Sequence, residues 1–307
     1  MYIVRHRKLF FTLTGLILAG ALGALLVYGL PLGIDFKGGS LIQVEYAGTR
    51  PDLRVVQERV ATVPVGAVSV RASGERAVNI RTSTLTPETH EAILTALQQT
   101  GTSSSTSSLQ LTELAYTSIG PSLGSQFTNK ALWALLAVIL AIVLYIAWAF
   151  RKVSRPVPSW VYGLTVIIIL VHDLIVPAGF FAIFSHFTGA EADALFITAL
   201  LALLGYSVND TIVIFDRVRE HLAINERKGT REEFADTVGK SISETLTRSV
   251  NTSFTVVLAL LALVFLGAAA TRDFALVMLV GVIAGTYSSI LLAAPLLIPL
   301  AKWFTKR

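Results

Sequence analysis

The chain has 307 residues, of which 53% are hydrophobic and 15% charged, with a formal net charge of +5. Soluble domains carry about 25% charged residues, so this much apolar surface needs lipid as its solvent, in line with a mean hydropathy of +0.67. The absence of cysteine excludes structural disulfides, thiolate metal sites and cysteine nucleophiles, and the excess Lys and Arg flank hydrophobic segments, a topological use of charge rather than a nucleic-acid one.

A membrane span needs roughly 20 apolar residues to cross about 30 Å of hydrocarbon. The first such stretch is 9–30, preceded by Arg5, Arg7 and Lys8. A basic start and an apolar core also describe a signal peptide. This core exceeds the roughly 7–15 residues of a signal h-region, and no small-x-small cleavage site follows, so the stretch reads as a retained span. Residues 31–129 are more polar and pattern as a separate domain. Strands are predicted at 40–46, 67–72, 77–82 and 108–116, with helices at 51–63 and 87–99. Gly74-Glu75 marks a hairpin, and Thr86-Pro87 with Glu88 starts a helix. The β-α-β-β-α-β order is the ferredoxin-like α+β arrangement. The run 102–108, rich in Ser and Thr, reads as a loop. His90 reads as a lone side chain on an exposed helix, and no metal-ligand or nucleophile spacing is present.

Five further spans follow, at 132–150, 161–184, 195–215, 253–270 and 274–300, with Pro295 and Pro299 expected to bend the last. The expected division is therefore 1–30, a cytoplasmic N-terminus and first span; 31–129, the outer domain; and 130–307, a five-helix bundle with a cytoplasmic loop at 217–250. Charge sets the orientation. The N-terminus, the 151–155 loop (Arg151, Lys152, Arg155), the 217–250 loop (Arg217, Arg219, Arg227, Lys228, Arg231, Lys240) and the C-terminus (Lys302, Lys306, Arg307) are basic, whereas 185–194 has Glu191 and Asp193 and no Lys or Arg. Both termini are expected to be cytoplasmic and the 31–129 domain outside.

Ionisable side chains at membrane depth are costly and therefore candidate functional groups. Asp173 lies near the middle of the third span and Asp210 in the fourth, beside Asn209. For Asp210 two readings stand together. One is a carboxylate satisfied by Ser207, Asn209 and Thr211; the other is a desolvated carboxylate that takes up and releases protons. Asp216 is close enough to the cytoplasmic edge to be solvated with Arg217. His172 adjoins Asp173 but projects about 100° away on a helix, which reads against a dyad. Arg248, where the fifth span begins, is a candidate counter-charge for Asp210 or a side chain that snorkels to the headgroups. Gly281 and Gly285 form a GxxxG in the sixth span, and Gly205 precedes small polar residues in the fourth; such faces allow close helix packing.

Four segments carry a resemblance over essentially the whole chain. Gly33-Ile34-Asp35-Phe36-Lys37-Gly38-Gly39 resembles the GIDFxGG signature of the SecD/SecF family, in its SecF form. The run from Gly205 to Arg217 is similar to that family's GYSxNDTxVxFDR stretch. Val171-His172-Asp173 and Thr247-Arg248-Ser249-Val250-Asn251-Thr252-Ser253 resemble its third- and fifth-span patterns. The resemblance implies half of a resistance-nodulation-division-type unit of the bacterial inner membrane, completed by the homologous SecD. It implies association with the Sec translocon channel, unfolded preprotein as substrate, membrane lipids as surroundings and no nucleic acid, cofactor or metal. It also implies that Asp210 and Arg248 belong to a proton-coupled charge cluster. Independently of the resemblance, Gly33, Gly38 and Gly39 permit turns and positive φ in a short connector. The rival readings are a small-molecule or lipid exporter, a scaffold subunit without proton coupling, and an intramembrane aspartic protease using Asp173 and Asp210. The protease lacks the Gly-x-Gly-Asp setting around Asp210.

Overall fold

The computed structural model describes residues 2–98, 110–151, 157–230 and 232–305. The 102–108 run, the ends of the helix predicted at 87–99 and the strand predicted at 108–116, and Lys152, Arg155, Arg231, Lys306 and Arg307 lie outside the described residues. In chain order the elements are α1 (Tyr2–Arg5), α2 (Arg7–Tyr28), α3 (Ile34–Lys37), β1 (Gly39–Tyr46), α4 (Leu53–Ala61), β2 (Ser69–Ser73), β3 (Ala77–Thr82) and α5 (Pro87–Gln98). They continue with β4 (Leu111–Ile119), α6 (Pro121–Ala149), α7 (Ser159–Thr188), α8 (Ala194–Lys228), α9 (Phe234–Leu266), α10 (Ala269–Ser288), a π-helical turn (Ser289–Ala293) and α11 (Ala294–Thr305). Two compact units result. One comprises Met1–Leu30, Trp133–Ala190 and Leu195–Arg307; the other comprises Pro31–Leu132 with Glu191–Ala194.

Among the described residues, six helical stretches are long and apolar enough to cross a membrane: Arg7–Tyr28, Pro121–Ala149, Ser159–Thr188, Ala194–Lys228, Phe234–Leu266 and Thr271–Trp303. Helices are the natural spanning element because each satisfies its own backbone in hydrocarbon. Several run well past their apolar segments. The predicted 217–250 loop is mostly helix, from the end of α8 at Lys228 and the start of α9 at Phe234. Ion pairs between neighbouring turns, such as Asp216–Arg219 at 2.5 Å and Arg217–Glu220 at 2.5 Å, suit a helix that has left the apolar layer.

Inside the helical unit, α7, α8 and the sixth span (Thr271–Trp303) are the most enclosed and α6 is largely exposed along its length. Phe150, Tyr162, Leu170, Leu204 and Phe215 fill one core region, and Val4, Ile214, Val218, Val238, Ile242 and Ile298 fill another. The sixth span is interrupted by the π turn, which precedes Pro295. Pro295 has no N–H and its ring crowds the carbonyl four residues back; a widened turn accommodates both. Pro299 lies inside α11.

In the outer unit the sheet order is β2-β3-β1-β4, with every pair antiparallel. Alternation along β1 sends Ile42, Val44 and Tyr46 to the buried face and leaves Leu41, Gln43 and Glu45 partly exposed. Val56 and Val60 of α4 and Ile93 and Leu97 of α5 close the core over Val78 and Ile80. This is the ferredoxin-like arrangement. Helix α4 starts two residues later than predicted because Asp52 is its cap, accepting the Arg54 N–H at 2.8 Å. Strand β2 also begins later, at Ser69, and β4 runs on to Ile119 with a register shift against β1 at Gln43/Val44. His90 is not alone: its Nε2 lies 2.9 Å from Glu113 and its ring stacks on Tyr116 at 4.1 Å. The lone-residue reading fails because a helix over a sheet brings distant residues to one face.

The glycine-rich connector contains a helical turn, α3, that no periodicity announces. Gly38 and Gly39 take φ of +77° and +125°, conformations that side chains other than glycine rarely adopt. Gly33 differs from the expectation, with φ −73°. It is glycine for space, because a Cβ there would lie 3.0 Å from the Ala192 carbonyl oxygen.

Candidate functional site

The helical unit holds two buried polar clusters that share α8. Asp210 is 5% exposed and accepts from the Ser253 hydroxyl of α9 at 3.5 Å. That hydroxyl in turn lies 3.0 Å from the Tyr206 hydroxyl and 2.7 Å from Thr286 Oγ1 of α10. The partners expected from the sequence are engaged elsewhere. Ser207 donates to Asp173, Thr211 Oγ1 lies 2.8 Å from Ser289 Oγ, and Asn209 is exposed. Ser207 sits about 60° around the helix from Asp210 and Thr211 about 100°, so both face other neighbours. Arg248 is exposed on α9, and no ion pair joins it to Asp210 among the described residues. What α9 supplies at the carboxylate is a hydroxyl. One turn before Ser253, Ser249 is buried and its Oγ has no hydrogen-bond partner among the described residues.

The second cluster overturns the reading of His172 and Asp173 as independent. Both are 1% exposed, with His172 Nδ1 2.7 Å from Asp173 Oδ1. His172 Nε2 lies 2.5 Å from the Tyr287 hydroxyl, and Ser207 donates to Asp173 Oδ2. The imidazole thus spans from a carboxylate on its own helix to a phenol on α10, with Nδ1–H as donor to the carboxylate by the logic of the network. Neighbouring helical residues project about 100° apart, but a ring side chain turned toward a short carboxylate closes that angle when both are held from outside. The cluster ties α7, α8 and α10 together through side-chain hydrogen bonds. Tyr287, Ser253, Thr286 and Ser289 were not singled out in the sequence, where only isolated hydroxyls in apolar runs signal them.

The remaining candidates separate. Asp216 pairs with Arg219, not with Arg217, which bonds Glu220 and Glu244. Beyond the end of α8, Lys240 and then Asn225 hold the Glu232 carboxyl below its usual range. Gly285 lets α10 approach α8, since a Cβ there would stand 3.1 Å from Ser207 Cβ; Gly281 makes the same approach at Leu203. Gly205, by contrast, is exposed, and among the described residues no atom beyond its own stretch of helix lies within 4 Å of where its Cβ would be. In the connector, Ile34, Asp35 and Phe36 form the turn α3, and Phe36 packs on Phe127 at 5.4 Å. Asp35 Oδ2 accepts the N–H of Ala194 at 2.7 Å. No group of three or more His, Asp and Glu side chains is gathered as for a metal among the described residues.

The family model for the C-terminal part of the protein export membrane proteins SecD/SecF matches residues 94–303, and the SecD/SecF GG motif matches residues 23–49. The protein translocase subunit SecF of Thermobaculum terrenum is 38% identical over 304 residues, covering 96% of this chain and 92% of that one. The chain belongs to the SecF branch of the SecD/SecF family. A second SecF relative, from Anaerolinea thermophila, is 35% identical over 298 residues, with 96% of this chain and 92% of that one covered. Among solved structures, SecDF from Thermus thermophilus, described as a translocon-associated membrane protein, matches with a TM-score of 0.82 at 28% identity. The match covers 100% of this chain and 39% of that one, so the chain corresponds to well under half of SecDF. A SecDF structure in a super-membrane-facing form matches with a TM-score of 0.68. The SecF match embraces both the GG connector and the spans that carry Asp173 and Asp210.

Proposed function

We propose that this chain is a subunit of the Sec protein translocase that works with SecD, using the proton-motive force to promote preprotein translocation and release. It sits in the bacterial cytoplasmic membrane, with both termini inside and the ferredoxin-like domain outside, an orientation supported by its basic loops. Its partners are SecD, the Sec channel, the unfolded preprotein and the surrounding lipid, and its work is mechanical rather than enzymatic.

The observation that carries the reading is Asp210: a carboxylate 5% exposed on an apolar helix, with a serine hydroxyl as its hydrogen-bond partner and no ion pair at contact distance among the described residues. Such a group is costly at membrane depth and is retained for a use. Taking up a proton removes its charge and its demand for donors, which frees α8 from the Ser253–Thr286 hydroxyl chain and lets the spans rearrange. Losing the proton restores that demand. Arg248 serves the cycle when the spans move, as the basic side chain of the fifth-span motif. One proton falling through 100 mV releases about 2.3 kcal/mol, enough to bias a two-state arrangement by roughly fifty-fold. Asp173 on α7, with Asn209 and Asp216 on α8, completes the set of candidate groups.

The test is preprotein export from membranes carrying Asp210→Asn, with and without a proton-motive force, after assembly with SecD has been checked. Loss of the force-dependent part alone supports the proton pathway. Unchanged export in both conditions sinks it and leaves a scaffold subunit.

A further inference from the structure

The GG connector is anchored to the start of the helix that carries Asp210. Residues Glu191–Ala194, just before and at the first turn of α8, fold as part of the outer unit. Gly33 N–H donates to the Ala192 carbonyl at 2.7 Å, and Ala192 N–H donates to the Pro31 carbonyl at 2.8 Å, forming a short parallel bridge. Arg81 of β3 pairs with Glu191 at 2.6 Å. Asp35 completes the set by accepting the backbone N–H of Ala194, the first residue of α8. Its carboxylate therefore caps a helix from 159 residues away in sequence, where the usual cap is the residue just before the helix. The negative charge also meets the positive end of the helix dipole.

The motif residues around Asp35 fix this geometry. Gly33 leaves room for the Ala192 carbonyl, and Phe36 is buried against Phe127. A Cβ on Gly124 would stand 2.8 Å from the Phe36 carbonyl oxygen, so that side is closed as well. The turn α3 is thus held on both flanks, with Asp35 aimed at α8. An α-helix transmits axial displacement with little loss over a few turns, and Asp210 lies on the same helix about 24 Å from Ala194 at 1.5 Å per residue.

We propose that Asp35 is a positioning residue that couples α8 to the connector, so that a shift of α8 caused by protonation at Asp210 is delivered to the turn α3 and on to β1. The proposal rests on the proton-driven reading given above. It assigns the acidic residue of the GG motif a mechanical task, for which an uncharged acceptor of the same shape suffices.

The experiment uses the full chain assembled with SecD in membranes and compares Asp35→Ala, Asp35→Asn and Asp210→Asn. Asp35→Ala is expected to lose most force-dependent export, to keep force-independent export, and to speed amide hydrogen exchange at Ala194 by roughly 5–30-fold. Asp35→Asn, whose amide oxygen still accepts the N–H, is expected to stay near wild type in both readouts. Faster exchange in Asp35→Ala with full force-dependent export overturns the proposal, because the cap is then structural only. Equal impairment of the Ala and Asn variants overturns it too. If Asp35→Ala fails to assemble, Asp35→Asn and Asp35→Ser decide: loss of force-dependent export in both refutes the acceptor role, and its retention in either supports it. Asp210→Asn separates the two readings. If it abolishes force-dependent export while Asp35→Ala does not, only the coupling fails; if Asp210→Asn has no effect, the proton reading itself fails.

Discussion

The approach of α10 to α8 at Gly285 makes a quantitative prediction. A Cβ at this position would stand 3.1 Å from Ser207 Cβ and 3.3 Å from Ser207 Oγ, the oxygen that donates to Asp173. Gly285→Ala must therefore push either the helix or the serine. Overpacking costs about 1–3 kcal/mol, and a lost interhelical hydrogen bond in a membrane protein adds about 0.6–1.7 kcal/mol. Alanine returns about 0.8–1.0 kcal/mol through helix propensity. The net loss is about 1–4 kcal/mol by those figures. Gly205→Ala is the control, because among the described residues no atom beyond its own stretch of helix lies within 4 Å of its added methyl group. It should leave the isolated chain as stable as before or slightly more so. The assay is unfolding of the purified chain in mixed micelles, followed by tryptophan fluorescence. Equal midpoints for Gly285→Ala and wild type, or a lower midpoint for Gly205→Ala, would refute the packing argument.

Three further outcomes follow from the same geometry. His172→Phe removes one member of a pair whose side chains are both 1% exposed and should cost about 3–5 kcal/mol, whereas His172→Phe with Asp173→Leu should recover much of it; micelle unfolding of the single and double variants checks this. The Tyr46 hydroxyl is buried without a partner among the described residues, so Tyr46→Phe should be neutral or stabilising in thermal melts. Burial also pushes Tyr46 up to about 12 from its usual 10.0, so the neutral phenol favours the fold below about pH 10, and that contribution drains away between about pH 10 and 12; Tyr46→Phe should remove this part of the alkaline loss. Asp52→Ala deletes the α4 cap and should cost about 0.5–2 kcal/mol, read as a lower melting midpoint for the outer sheet by circular dichroism.

Much of the fold could be read from the sequence because lipid imposes a simple rule: every run of about 20 apolar residues must be a helix. The βαββαβ order was equally legible, since strand alternation and the Thr86-Pro87 start are local signals. Helix ends were less so. The apolar count stops at the edge of the hydrocarbon, while α8 and α9 continue as charged helices stabilised by pairs such as Asp216–Arg219. The polar clusters were legible only by half. Asp173 and Asp210 announce themselves as acids among apolar residues, but their partners come from other helices. Ser253 reaches Asp210 from 43 residues away and Tyr287 reaches His172 from 115. Intrahelical reasoning favoured Ser207 and Thr211 for Asp210, and rotation about α8 turned both elsewhere. The role of Asp35 was hidden for the same reason, because a cap normally lies beside its helix in sequence.

The widened turn at Ser289–Ala293 has a consequence for how the sixth span can vary. A π turn holds one residue more than an α turn, so the two halves of the span are out of phase by about 100°. Upstream, Gly281, Gly285 and Tyr287 are aligned on α8 and α7; downstream, Leu297, Ile298 and Ala301 are buried in the two core regions. Deleting a single residue within the turn would yield a regular helix with those three side chains on their present bearing, whereas a deletion on either side of the turn would swing them by about 100° out of their sockets. Length in this span is therefore a phase setting, and a one-residue deletion inside the turn should be better tolerated than one on either side of it.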